Sequence, residues 1–249
     1  GRMNTNYANG KITDVAIWDT ALDAATLTSL YNSGEPNDLT LSASYTAGSG
    51  VDKSDDLYAY WRMGNGTLDE YALVADQTNA TLGSELITDP TFSLTGTQSA
   101  NVTGDYWETG ADWSIGSGIA THDGSGSSNL TAVGILSANK VYKITLDVGG
   151  TSTPKVKILL GSSSVSTANI LEGTQQTIYW RSGSDNTNFV IRYVGGAPTI
   201  DNVSVKLVNG NAGLMTNMSE YDIVDHAPNR NSGDMINFDA TSNIETDTP

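Results

Sequence analysis

"LTAVGILSANKVYKITLDVGG", residues 130–150, decides the reading of the fold. From Tyr142 onward the large apolar side chains fall on every second residue, so Tyr142, Ile144, Leu146 and Val148 share one face. A period of two is that of a strand with one buried side. The polar break at Ala138 to Lys140 separates this run from the apolar run before it, so the stretch predicts two strands joined by a turn. Working outward, runs of the same kind recur. "ELITDPTF" from residue 85 opens the series, and "DWSIGSGIATHDG" from residue 112 reads as a hairpin around Gly116 to Gly118. "KVKILLGSSSV", "GTQQTIYWRSGS", "TNFVIRYVGG" and "TIDNVSVKLV" complete it, with Phe189, Ile191 and Tyr193 on a common face. About eight strands divided by turn signals predict an antiparallel β-sandwich of jelly-roll type over residues 85–208.

Composition agrees with an all-β chain. Gly, Ser, Thr, Asn and Asp are abundant, and the 249 residues leave room for one large β domain or two small ones. The chain carries 12 basic and 28 acidic residues, a formal charge of −16, which argues against nucleic acid or an anionic membrane as partner. There is no cysteine, which excludes disulfides, zinc–thiolate sites and thiol catalysis and points to a bacterial or viral source. No apolar run reaches the roughly 18 residues of a membrane span. The opening "GRMNTNYANG" has no apolar core of the kind a secretory leader needs.

Before the sandwich lie two other segments. "GKITDVAIWDTALDAATLTSLYNSGEP", residues 10–36, predicts a strand with Ile12, Val15 and Ile17 on its buried face. A short helix follows, capped by Asp19 or Thr20, with Leu22, Leu27, Leu30 and Tyr31 on its apolar side, ended by Gly34 and Pro36. Residues 1–36 resemble the end of a laminin-G-like or concanavalin-A-like jelly roll, whose last strand reads G-x-I-D-x-V-x-I-W before a short helix. That resemblance implies missing upstream strands, supplied by a longer precursor or by a partner. Residues 37–84 read as a Gly/Ser-rich linker followed by "LYAYWRMGNGTLDE", which resembles the first strand of another such jelly roll and segments of large marine phage structural proteins.

Residues 85–208 resemble the carbohydrate-binding-module jelly rolls found beside glycan-degrading domains and in phage virion proteins; "ELITDPTF", "ANKVYKITLDV" and "TIDNVSVK" carry the likeness. In residues 209–249 "GLMTNMSEYDIVDHAP" and "GDMINFDATSNIETDTP" repeat Gly, Met, Asn and Ile in order, which reads either as an extended tail that docks on neighbouring surfaces or as a disordered tail with chance similarity. The tail also looks like segments ending other phage virion proteins.

Enzyme constellations are poor. His122 falls in a Gly/Ser turn, where a solvated loop histidine is expected, and His226 in the tail. Glu85, Glu108 and Glu172 are scattered, and no pair is set across a cleft as glycoside hydrolysis requires. "DGSGSSN" lacks the alternating carboxylates of an EF-hand loop. No catalytic residue is expected. The module resemblance implies a structural calcium where the opening and closing strands meet, with Asp89 and Asp201 as oxygen ligands. The other reading of Asp201 is a hydrogen bond to neighbouring backbone. Sugar binding needs aromatic faces and polar partners. Trp107 in a loop, with Tyr179, Arg181 and Arg192 pointing outward on adjacent strands, are the candidates for a glycan platform or a protein interface. Trp113 and Trp180 are expected inside. The Asn-x-Ser/Thr sequons, Asn79, Asn101 and Asn202 among them, read as by-products of composition.

The resemblances imply a bacteriophage virion structural protein, a homo-oligomer on the particle surface that acts by assembly with other virion proteins. Contact with a host glycan is an added role, without nucleic acid or membrane insertion. The alternative is a secreted bacterial glycan-binding module of a multidomain enzyme or adhesin.

Overall fold

The computed structural model describes residues 14–34, 37–41, 53–62, 67–69, 72–94, 106–161, 166–185 and 187–214. Ile12, Pro36, Asn101, His226 and the tail repeat past residue 214 lie outside them. The elements in chain order are β1 (Val15–Trp18), α1 (Ala24–Tyr31), β2 (Leu57–Trp61), β3 (Leu73–Val74), β4 (Leu82–Glu85), β5 (Glu108–Thr109), β6 (Trp113–Gly116), β7 (Ile119–His122), β8 (Asn129–Ala132), β9 (Val141–Leu160), β10 (Gly173–Arg181), β11 (Phe189–Val208) and β12 (Gly213–Leu214). All pairings are antiparallel, and the short helix stands near the start.

Two strands organise the sandwich. β9 and β11 are each 20 residues long and pair along nearly their whole length. Each joins two stretches that the sequence presents as separate strands. The bend between their halves falls where small residues and prolines cluster. Gly150, Ser152 and Thr153 take positive φ before Pro154, and Gly196 does so opposite them before Pro198. A Cβ at Gly150 would lie 2.1 Å from the Ala197 carbonyl oxygen, so only glycine lets the two bends cross. The first half of β9 pairs with β10, whereas β8 pairs with the first half of β11. Residues from both halves, Ile144 and Leu146 with Val156 and Ile158, bury into one core with Trp107, Leu130, Phe189 and Ile191. The result is an antiparallel sandwich closed nearly into a barrel.

The strand face predicted from residue 142 is as expected: Tyr142, Ile144, Leu146 and Val148 are all at most 2% exposed. The predicted hairpin at Gly116 to Gly118 is β6–β7, turning through Ser117 and Gly118 with positive φ. β8 and β9, however, are not partners. The connection between them crosses from one layer to the other, held by Leu136 N–H to the Thr187 carbonyl and Lys140 N–H to the Ser182 hydroxyl. The opening strand also begins earlier than expected, at Leu82, and pairs with the end of β11.

The first segment differs from expectation in its facing. Ala16 and Trp18, not Val15 and Ile17, pack inward against Leu30, Leu39, Leu57 and Tyr60. Ile17 is 49% exposed. Because strand side chains alternate, a shift of one residue exchanges the whole set. The helix is capped by Asp23, whose carboxylate accepts Thr26 N–H at 2.7 Å, rather than by Asp19 or Thr20. Only eight residues long, it turns Thr26 and Leu30 toward β1 and β2 and leaves Leu27 and Tyr31 exposed. β1 pairs with β2, Val15 opposite Trp61.

A strap covers part of the sandwich exterior. Residues 72–82 and 209–214, joined by β3–β12, lay Leu73, Ala75 and Ala212 over Val141, Tyr179 and Val208. Asp76 fastens it. Its fully buried carboxylate accepts N–H from Tyr60, Thr78 and Asn211, the Thr78 hydroxyl and the Asn211 amide. Burial pushes that carboxyl up, and the donors from Tyr60, Asn211 and Thr78 more than reverse it, so it lies below its ordinary value.

Candidate functional site

Strand parity assigns the surface. On β9 and β10 the outward positions are Lys143, Thr145 and Asp147, and Thr177, Tyr179 and Arg181; on the first half of β11 they are Val190 and Arg192. Arg181 reaches past the strap. Its terminal nitrogens donate to the Asn139 carbonyl and the Ala212 carbonyl, both at 3.1 Å. The guanidinium thereby borders a recess of about 260 Å³, with Val141, Val208 and Ala212 as floor and Asn139, Lys140 and Asn211 as further rim. Two of the five guanidinium donors are used in this way.

The other sequence candidates sit elsewhere. Trp107 is fully buried: it stacks on Phe92 at 5.1 Å, and its indole N–H donates to the Asp89 carbonyl at 2.9 Å. A loop position next to short β5 turns it into the core, so it offers no face to a sugar. Tyr179 points outward as expected but lies beneath the strap, 6% exposed, with the Lys143 ammonium 5.5 Å from its ring centroid. Trp180 packs on the main core, as expected. Arg192 does not join Tyr179 and Arg181. β10 pairs with the first half of β9, while Arg192 belongs to the layer formed by the second half. The four residues therefore form no single platform.

Around Arg192 a different group assembles. Register places Lys157 directly opposite it on one side and Asn129 on the other. Lys155 follows on the same face, opposite Gly195. Arg192 Nε donates to Asn129 Oδ1 at 3.4 Å. The alternation of "KVKI", with Val156 and Ile158 buried, contains the signal for this face.

The calcium ligands expected from the resemblance do not fit a cation. Asp89 Oδ1 accepts the Ser93 N–H and hydroxyl, and Oδ2 accepts the Leu94 N–H. Donors converging on both oxygens are the reverse of a cation cage. Asp201 accepts its neighbour's N–H at Asn202, and no group of three His, Asp or Glu side chains suited to a metal occurs among the described residues. Asp201 stands opposite Asp147. The backbone N–H of Gln175 and the Asn202 amide hold the Asp147 carboxyl below its ordinary value, the opposite of what a glycosidic acid needs. The Asn202 nitrogen that glycosylation would use is the donor in that contact.

His122 is fully buried, not solvated. Its ring stacks on Tyr193 with centroids 3.9 Å apart, and Trp113 meets it edge-on at 5.0 Å. The β6–β7 hairpin carries it inward at the strand end. Gly124 N–H donates to Nδ1 at 3.0 Å, which leaves Nε2 as the protonated nitrogen facing the Ser128 hydroxyl at 3.4 Å. Burial holds its pKa below the ordinary value, against the pull of the Asp112 and Asp123 carboxylates.

No protein-family model matches the chain, and no curated protein matches it. Among solved structures, the chain described as "CBM4 structure and function" is similar at 18% identity and TM-score 0.33, over 49% of this chain and 99% of that one. The CBM22-1–GH10 modules of the Clostridium thermocellum xylanase 10B, complexed with xylohexaose, match at 16% identity and TM-score 0.34, over 54% of this chain and 30% of that one. The CBM22-1 xylan-binding domain of Paenibacillus barcinonensis Xyn10C matches at 14% identity and TM-score 0.31, over 53% and 99%.

Proposed function

We propose that the chain is a non-catalytic glycan-binding β-sandwich module. The recess at Arg181 carries this reading. It combines a small apolar floor with a rim of guanidinium, ammonium and amide groups, the partners that sugar hydroxyls need. At about 260 Å³ it suits one sugar residue at a chain end or branch rather than a long oligosaccharide. Its rim is held by hydrogen bonds that exist before any ligand arrives, so little ordering cost attaches to binding. Affinity electrophoresis through a panel of neutral and acidic polysaccharides tests it. Retardation by at least one glycan is expected, and Lys140→Ala, on the exposed rim, weakens it by about tenfold, the order of one charge-assisted hydrogen bond. Migration unaffected by every glycan overturns the reading.

A second reading, a structural protein of a phage particle acting by assembly, draws on one specific observation. The β1–β2 ribbon leaves Val15, Ile17 and Tyr58 exposed, at 36%, 49% and 63%. Apolar side chains grouped on a two-stranded ribbon favour a surface that another chain covers.

A further inference from the structure

We infer that the outer face of the layer formed by β8, the second half of β9 and the first half of β11 binds acidic groups on a glycan. Lys155, Lys157 and Arg192 take a carboxylate or sulfate ester carried by the sugar chain. The inference rests on the glycan-binding reading and adds a second subsite and a ligand class to it.

Register supplies the first argument. Lys157 and Arg192 are cross-strand partners, and Lys155 lies two residues from Lys157 on the same side of β9. Like charges placed directly opposite disfavour a sheet, so their neighbour should be an anion. Among the described residues no carboxylate forms an ion pair with any of the three. In a chain of net charge −16 a cluster of cations without an ion pair stands out from its surroundings. Glu108 lies on the same face beside Thr131, one row away, and bridges to none of them.

Shape supplies the second. The hydrogen bond from Nε to Asn129 orients the Arg192 guanidinium and leaves its terminal nitrogens to the ligand. Opposite Lys155 stands Gly195, where an added Cβ would meet nothing within 4 Å. That position is open floor on which a sugar ring can lie while its acidic group reaches the cations. The large apolar side chains exposed around it among the described residues, Val194 and Leu171, are aliphatic, so charge and hydrogen bonding, not aromatic stacking, carry recognition. The overall negative charge repels a continuous polyanion such as nucleic acid. At physiological salt the repulsion is screened beyond about 8 Å, and acids spaced along a sugar chain meet the cluster locally.

The test uses the whole chain and four probes: partly methyl-esterified polygalacturonate, the same polymer with its carboxyls reduced, a sulfated galactan and single-stranded DNA. The intact chain is expected to bind the esterified polymer or the sulfated galactan, whichever source supplies the anion. The carboxyl-reduced polymer should bind about tenfold more weakly. Lys157→Gln with Arg192→Gln should lower acidic binding by about tenfold or more. Lys155→Gln alone, read beside the thermal midpoint of each variant, separates lost binding from lost folding. Acidic binding that survives in the double variant overturns the inference. So does DNA binding through the same residues. Binding of neutral glycans without preference for acid removes this inference and leaves the proposed function standing, whereas binding to no glycan at all removes both.

Discussion

At the scale of single residues, His122 shows how a turn-like sequence hides a core position. The polar run "THDGSGSSN" suggests solvent, yet the ring is fully buried between Tyr193 and Trp113. Its neutral form accepts Gly124 N–H and so holds the loop after β7. Protonation removes that acceptor. Because the folded pKa is lowered below its ordinary value near 6.5, the unfolded chain binds the proton more readily. The stabilisation is complete above about pH 6.5 and is lost as pH falls from there toward the folded pKa, at a limiting slope of about 1.4 kcal/mol per pH unit. Urea midpoints measured between about pH 8 and 5 should therefore fall in the acid half of that range. His122→Phe should flatten the profile in that window. A wild-type midpoint that is level from pH 6.5 downward, beyond what the variant shows, contradicts the assignment.

At the scale of elements, the strap and the bent strands carry the lesson. Asp76 receives five donor contacts from Tyr60, Thr78 and Asn211, which lie far apart in sequence. Replacing it with Ala strands buried N–H groups, at about 1–3 kcal/mol each before water enters. Asp76→Ala should raise hydrogen exchange by at least tenfold in residues 73–79 and 209–214, with β9 and β11 centres still protected. Uniform loss of protection across the sandwich would mean that the strap is part of the cooperative core. None of this was legible in the sequence, because a lone Asp in "VADQTN" carries no periodic signal and its partners are non-local. The face of Tyr142 to Val148 was legible, since alternation is local and its burial follows from it. Merging of two predicted strands into β9 was not, because "GGTSTP" reads as a break, and only pairing with the second bend at Gly195 to Pro198 continues the ladder. Arg181 was found by parity, but the recess depends on Ala212 and Asn211 arriving from 30 residues on. Trp107 was misplaced for a related reason: a residue flanked by loop sequence gives no sign of which side of a sandwich it enters.

At the scale of the whole molecule, two kinds of surface respond oppositely to salt. The cluster of Lys155, Lys157 and Arg192 attracts anions, and screening weakens that attraction. The ribbon of β1 and β2 presents Val15 and Ile17 on the side away from Trp18, while Tyr58 falls at the register shift where Trp18 pairs with Leu57 and Ile17 with Ala59. Association through such a face is apolar, but copies bearing −16 each repel one another at low ionic strength. Screening removes the repulsion and leaves the apolar contact, so self-association should strengthen between about 0.01 and 0.15 M salt, as the Debye length falls from roughly 30 to 8 Å. Sedimentation velocity at micromolar concentration should show the mean mass rising with both protein and salt. Ile17→Glu, at a position 49% exposed, should return it to that of a single chain without lowering the thermal midpoint of the sandwich. A single-chain mass at every salt and concentration would leave the ribbon's apolar side without a self-partner and take away the assembly reading's support in solution. A mass that rises with salt in the variant as in the wild type would place the contact on another surface.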